Sequence, residues 1–427
     1  MQFLKKEGRS VFNYPFILPL NIKNRILKEQ YSDKMKNSLK DAFFLSLFKG
    51  EVPPYLSLIV RRQYIYEDTV EQLDEADSLN KQLKISFDRE EGVDVGGITR
   101  EFFQLLSYQI VHERDLFLIK NEFIWPKIMN HGQFISESHQ NLNLDYDFRF
   151  NYLKMNRNKE EQLKEYNYIG KIIALGLYNS FVLNIPFPLI FFKKLLGNEK
   201  YTLEDIKEIE PEIYNSLSKL RSFTDEEFHY MEQTFMITYS SDKNLYSKEL
   251  VKNGGKIFVN RKNFDEFFTQ YVHWIVHSSI EHSFNALKEG FYSIIDYETV
   301  RCLHPAEMEK ILVGSFIVDL HFLRKHIKYV DYTADSNIVL WFWEIIEKYN
   351  TENLRKLLQF VTGNDKVPVI NTAEWKIIIK RNGCDTQRLP SSQTCFNTLL
   401  LPEYSSKSKL GEKLNIAIRY TKGFYLM

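Results

Sequence analysis

Cysteine is scarce: Cys302, Cys384 and Cys395 are the three thiols in 427 residues, and no C-x-x-C pair occurs. That excludes a disulfide framework and a cysteine-rich zinc site, and makes free thiols in a reducing compartment the expected state. Net charge is missing as well. With 56 Lys+Arg against 56 Asp+Glu, the basic excess that accompanies nucleic acid or an anionic bilayer is absent, so neither nucleic-acid binding nor membrane insertion is expected. The most apolar stretch, residues 172–192, contains Asn179, Asn184, Pro186 and Pro188 and reads as a buried helix followed by a break. The opening MQFLKKEGRS lacks the apolar run of a secretory signal, which places the expected location in the cytoplasm, with the nucleus as the second compartment.

What the chain has in quantity is aromatic: 33 Phe and 25 Tyr, within 44% apolar and 26% charged residues. That composition folds, and at roughly 100–200 residues per domain it forms two or three domains. Tyr66, Val70 and Leu73 fall at helical spacing and predict an amphipathic helix. KQLKISFDREEGVDVGGITREFF reads as a short alternating strand, a turn bending at Gly96-Gly97, and a helix from about Thr99. Residues 126–165 read as a long loop with some helical character, and helix resumes near Tyr166. Ile213, Leu217 and Leu220 share one helical face, which in most such stripes faces a core. MEQTFMITYS and GGKIFVN alternate like paired strands, and NFDEFFTQYVHWIVHSSIEHSF is helical, so residues 201–278 suggest a small α/β subdomain. The helical pattern breaks at Gly314-Ser315, and residues 317–427 look like a compact α/β unit whose last helix turns Leu410, Leu414, Ala417 and Ile418 inward.

Few residues invite chemistry. Cys395 sits between a Leu389-Pro390-Ser391-Ser392 turn and an apparent strand, a place where nucleophiles are displayed and where small buried apolar residues are also found. A thiol protease would need a histidine base, and His304, His321 and His326 precede Cys395 while none follows. His273, His277 and Glu281 lie at i, i+4 and i+8, but without the HExxH order they read as a polar helix face, and no metal is predicted.

LPSSQTCFNTLLLPEYSSKSKLGEKLNIAI (389–418) resembles the catalytic end of the HECT ubiquitin ligases. EEGVDVGGITREFF (90–103), LWFWEII (340–346) and LLQFVTGNDKVPV (357–369) resemble it too, in the family's order. YPFIL (14–18) and YLSLIVRRQYI (55–65) extend the likeness over nearly the whole chain, with a flavour nearest the Angelman-syndrome ligase subfamily. MQFLKKEGRSVFN precedes it, so substrate-recruiting domains are expected to be absent from this chain.

The resemblance implies an α+β, bilobal domain. Residues 1–313 would form a mainly helical N-lobe, 314–316 a hinge at Gly314 and Ser315, and 317–427 a compact α/β C-lobe. It implies that Cys395 takes ubiquitin from a conjugating enzyme as a thioester and passes it to substrate lysines, without cofactor or metal. Thr394, Phe396 and Asn397 would complete the active-site loop, and Phe424 matches a tail phenylalanine implicated in transfer. Residues 201–278 would dock the conjugating enzyme, with Ile213, Leu217, Leu220 and Phe267 as an exposed apolar groove. One position departs from the pattern: where many members carry histidine, two residues before the cysteine, this chain has Gln393. Glutamine cannot take up a proton near neutral pH. Lysine attack is therefore expected to lean on a carboxylate, drawn from Glu90, Glu91 and Asp94 or from Asp385. The alternatives are an impaired scaffold that binds ubiquitin and a conjugating enzyme, and a thiol hydrolase acting on ubiquitin conjugates.

Overall fold

A computed structural model describes residues 17–49, 52–90, 96–129, 133–137, 158–241, 244–314, 319–367 and 375–420. The fold is α+β, and packing divides it into two compact units: Met1–Gln109 with Leu175–Asn184 and Glu307–Met427, and Ile110–Ala174 with Ile185–Ala306. These units cut the chain differently from a boundary at 313, because part of the N-terminal segment packs with the C-terminal one. No helix among the described residues is long and apolar enough to cross a membrane.

In the first unit, helix Leu20–Lys49 is fastened near its start by Lys23 Nζ, 2.6 Å from Glu307 Oε2, and by buried Leu27 and Tyr31. Its far end leaves Phe43, Phe44, Leu47 and Phe48 exposed. Strands Leu56–Val60 and Leu83–Phe87 run parallel in register from Leu56↔Leu83 to Val60↔Phe87, each burying alternate residues. Helix Ile65–Glu75 connects them, burying Tyr66 and Leu73 as the spacing predicts. LSLIV (56–60), which precedes that pattern, is strand, because buried Leu56, Leu58 and Val60 alternate with exposed Ser57 and Ile59.

The C-terminal part of this unit is a four-stranded sheet in the order Ser391–Gln393, Thr398–Leu401, Ile377–Arg381, Ile327–Val330. The first pair is antiparallel and the others parallel. Helices Asn337–Ile346, Thr351–Thr362 and Lys407–Arg419 cover it, closing a core of Val339, Phe342, Ile379, Leu399, Leu401, Leu410 and Leu414. All four residues predicted to face inward from the last helix are buried. Ile327–Val330 and Ser391–Gln393, both short and half-buried, give too little alternation to be read from sequence.

In the second unit, helices Lys159–Tyr178 and Glu281–Tyr292 approach so closely that a Cβ on Gly170 would lie 1.9 Å from the Leu287 carbonyl oxygen, and one on Gly290 1.9 Å from that of Asn167. Phe187 stacks on Phe191 at 3.7 Å, beside Phe192 and Phe284. The stretch read as a loop over 126–165 contains strand Gln133–Glu137 and the start of a helix at Lys159. That strand, Asn244–Glu249 and Met236–Ser241 form a three-stranded antiparallel sheet. The expected partner GGKIFVN instead makes a 3-10 turn, Gly254–Lys256, and a single bridge from Phe258 to Thr234. The expected continuous helix is Phe264–His273 followed by a π-helical turn, Trp274–Ser278.

Candidate active site

Cys395 is the middle residue of one 3-10 turn, Thr394–Phe396, that joins antiparallel strands Ser391–Gln393 and Thr398–Leu401. Asn397 ends the turn in the left-handed region, at φ 48°, a conformation asparagine adopts more readily than most side chains. It is 4% exposed and heavily bonded. Its backbone N–H donates to the Thr394 carbonyl at 3.1 Å, its carbonyl accepts from Ile378 N–H at 2.9 Å, and its Nδ2 donates to the Lys376 carbonyl at 3.1 Å. Thr398 Oγ1 donates to the Phe396 carbonyl at 3.1 Å. Helix Thr351–Thr362 packs on both the strand and the turn. The backbone at 394–397 is thus fixed on three sides, while Phe396 stands 61% exposed. Gln393 is exposed at the strand's end, opposite Thr398. Ser315 and Phe424 lie outside the described residues.

A second contact to this turn was not legible in the sequence. Arg100, on helix Gly97–His112, reaches Asn397 Oδ1 with Nη1 at 3.5 Å. One helical turn further, the Gln104 amide lies against Gly363, where a Cβ would come within 2.4 Å of Oε1. Arg100 and Gln104 share a helix face, so the segment TREFFQ forms a seat for the loop that carries Cys395. Its nearest sequence signal is the motif GGITREFF itself.

The two described candidate acids, Glu90 and Asp385, are engaged elsewhere. Glu90 accepts from Arg62 Nε at 2.6 Å and Nη2 at 3.0 Å, which holds its carboxyl below the usual glutamate range. Arg62 also binds Glu101 at 2.6 Å and lies 4.0 Å over the Phe87 ring. Asp385 accepts from Lys409 Nζ at 2.7 Å and Ser405 N–H at 3.2 Å, and Lys409 lowers its pKa. A lowered pKa makes either group a weaker proton acceptor. Glu91 and Asp94 lie outside the described residues. Of the other cysteines, Cys302 is buried and Cys384 exposed.

Gly314 follows helix Pro305–Leu312 with φ +88°, and a Cβ there would sit 2.9 Å from the Val367 carbonyl oxygen. Both demand glycine. The expected apolar groove is different from its prediction. Leu217 is 4% and Phe267 2% exposed, with Phe267 packed edge-on against Phe235 at 5.3 Å. These two are core of the small subdomain, because helices Pro211–Leu220 and Phe264–His273 need an interior to pack on. Ile213 and Leu220 are half-buried and keep an accessible edge.

The HECT-domain (ubiquitin-transferase) family matches residues 108–427. Similar curated proteins include the probable E3 ubiquitin-protein ligase HUL4 of Eremothecium gossypii, 30% identical over 96% of this chain and 48% of the relative. The probable E3 ubiquitin-protein ligases HERC4 and HECTD2 of Homo sapiens are each 30% identical over 98% of this chain, covering 38% and 53% of their own lengths. The chain therefore spans about half the length of these relatives, or less. None of them supports the narrower likeness to the Angelman-syndrome subfamily. With a match over more than half its length and the motif residues gathered on one turn, the chain belongs to the HECT-domain (ubiquitin-transferase) family.

Proposed function

We propose that this chain is a ubiquitin–protein transferase whose nucleophile is Cys395. The observation that supports the reading is the fixed turn 394–397, which presents a cysteine backbone between two strands inside the stretch the family matches. In the first step the Cys395 thiolate attacks the thioester carbonyl joining ubiquitin to a conjugating enzyme, and the enzyme's cysteine leaves as thiolate. In the second, a deprotonated lysine amine attacks the new thioester, an amide forms, and Cys395 is released. Thioester exchange is nearly isoenergetic, so the protein contributes proximity and orientation rather than driving force.

Serving two partners with one sulfur calls for movement. Gly314, with Ser315, is proposed as the hinge between residues 1–313 and 317–427, and Phe424 as a tail residue used in transfer. Residues 201–278 are proposed to dock the conjugating enzyme through Ile213 and Leu220, backed by Leu217 and Phe267. The cytoplasm, with free cysteines Cys302 and Cys384 in keeping with it, is the proposed location.

Exposed Gln393 favours one competing reading, a scaffold that binds both partners without turnover. Incubation with activating enzyme, a panel of conjugating enzymes, ubiquitin and ATP separates the two. The transferase gives an adduct cleaved by thiol reagents, which Cys395→Ser converts into a thiol-resistant ester; an absence of adduct with every conjugating enzyme favours the scaffold.

A further inference from the structure

The chain enters the 201–278 segment at Tyr201 and leaves it through the π-helical turn Trp274–Ser278. π-Turns are rare single-turn insertions in a helix and recur at functional sites. Helix Leu189–Leu195 holds both crossings. Lys193 Nζ lies 2.6 Å from Asp205 Oδ2 on the entry side, and Lys194 Nζ lies 2.7 Å from His277 Nδ1 on the exit side.

Lys194 is 5% exposed, and no carboxylate among the described residues is within ion-pair distance of it. Ring faces fill the rest of its surroundings, Phe284 at 4.9 Å and Tyr201 at 5.7 Å. The Tyr201 hydroxyl is buried there with no hydrogen-bond partner among the described residues. An ammonium can only donate, so His277 Nδ1 must accept; the imidazole is neutral and carries its proton on Nε2, 4.0 Å from Glu281 Oε1. The other charged or titratable groups facing the pair are Glu199 from the entry segment, His273 from helix Phe264–His273, and Glu281 and Lys288 from helix Glu281–Tyr292. The His273 and His277 rings are 4.9 Å apart, and Ser278 Oγ meets His273 Nδ1 at 3.2 Å.

We propose that the Lys194–His277 contact makes the base of the 201–278 segment a proton-operated joint, closed while His277 is neutral and loosened when it takes up a proton. A protonated His277 would present an N–H to an ammonium at contact distance, inside a site whose nearest carboxylate to the ring is 4.0 Å away. Two cations so placed, one of them buried and the other partly exposed, repel and are driven apart, and the π-turn is the backbone that gives.

The sign follows from the direction of the shift. Burial, then Lys194 and His273, hold His277 below its ordinary 6.5. The open form therefore binds the proton more readily, and opening is favoured as pH falls below about 6.5. On the alkaline side burial brings Lys194 down to about 8, but the neutral amine left above that still donates to Nδ1, so the joint stays closed. The joint is a property of this neck and does not depend on the transfer chemistry. If the segment docks a conjugating enzyme, docking inherits the same pH dependence.

Hydrogen exchange of the whole chain between pH 5 and 8, corrected for the chemical exchange rate, tests this without any partner. Protection across residues 189–205 and 270–284 is expected to be level from pH 8 down to 7 and to fall as pH drops below about 6.5, approaching tenfold per pH unit, the limit for one linked proton. His277→Gln keeps an acceptor that does not titrate and is expected to flatten the profile; Lys194→Met removes the ammonium but leaves the burial of His277, and is expected to make the profile shallower. A pH-independent wild type overturns the proposal, as does either folded variant retaining the wild-type slope.

Discussion

Asn397 Oδ1 accepts from a distant arginine, and the length of that bond sets how much it can contribute. At 3.5 Å the Arg100 contact is weak, at about 0.5–1 kcal/mol, or a factor of roughly 2–5 in rate if it acts in one step. Arg100→Ala is expected to leave loading of ubiquitin onto Cys395 unchanged and to slow discharge to free lysine by that factor, as timed in a pulse-chase. Gln393 is open to solvent, so Gln393→His would place a titratable base beside the turn; discharge to lysine is expected to quicken several-fold near pH 7. An unchanged rate would remove position 393 from the transfer step. Asp68 gives a third residue-level test. Its carboxylate accepts from the Arg61 backbone N–H at 2.7 Å and from its guanidinium at 2.6 Å, and Arg61 holds its pKa below 3.8. That stabilisation is present above about pH 4 and is lost as pH falls through the folded value. Asp68→Asn should therefore cost about 1–2 kcal/mol at pH 7, Arg61 being half exposed, and the gap between the two proteins in denaturant melts should narrow as pH falls below about 4.

At the scale of elements, glycine marks where backbones touch, and the two kinds of contact predict different costs. Gly363 caps helix Thr351–Thr362 at φ +75° against the movable end of the Gln104 side chain. Gly363→Ala should cost about 1–2 kcal/mol, mostly backbone strain. Gly170 faces the rigid Leu287 carbonyl at 1.9 Å, so Gly170→Ala should cost roughly 3 kcal/mol or more by forcing two helices apart. Equal costs in urea melts would contradict this packing. Elements with strong periodicity were legible in sequence: the final helix with Leu410, Leu414, Ala417 and Ile418 inside, helix Ile65–Glu75 with Tyr66 and Leu73 inside, and the break at Gly314. The three-residue strand before Cys395 and the pairing of Met236–Ser241 with Asn244–Glu249 were not, since both depend on partners chosen in three dimensions. Leu217 and Phe267 illustrate the same limit, because a stripe on a helix shows that it packs without showing whether the cover is the protein itself or a partner.

The whole molecule unites an α/β C-terminal unit with an N-terminal seat, and a second unit with a proton-sensitive neck at its small subdomain. The candidate thiol Cys395 was legible from the motif around it; the seat at Arg100 and Gln104 and the joint at Lys194 and His277 were not, because each pairs residues 83 or more positions apart. The central claim is that one thiol of three carries ubiquitin. The most direct measurement is a single round of loading from a charged conjugating enzyme, quenching at low pH, and mass-spectrometric mapping of the adduct. A ubiquitin thioester on the peptide containing Cys395, with Cys302 and Cys384 unmodified, is the predicted result. A loaded Cys384, or ubiquitin joined directly to lysine with Cys395→Ala as competent as the wild type, would contradict it.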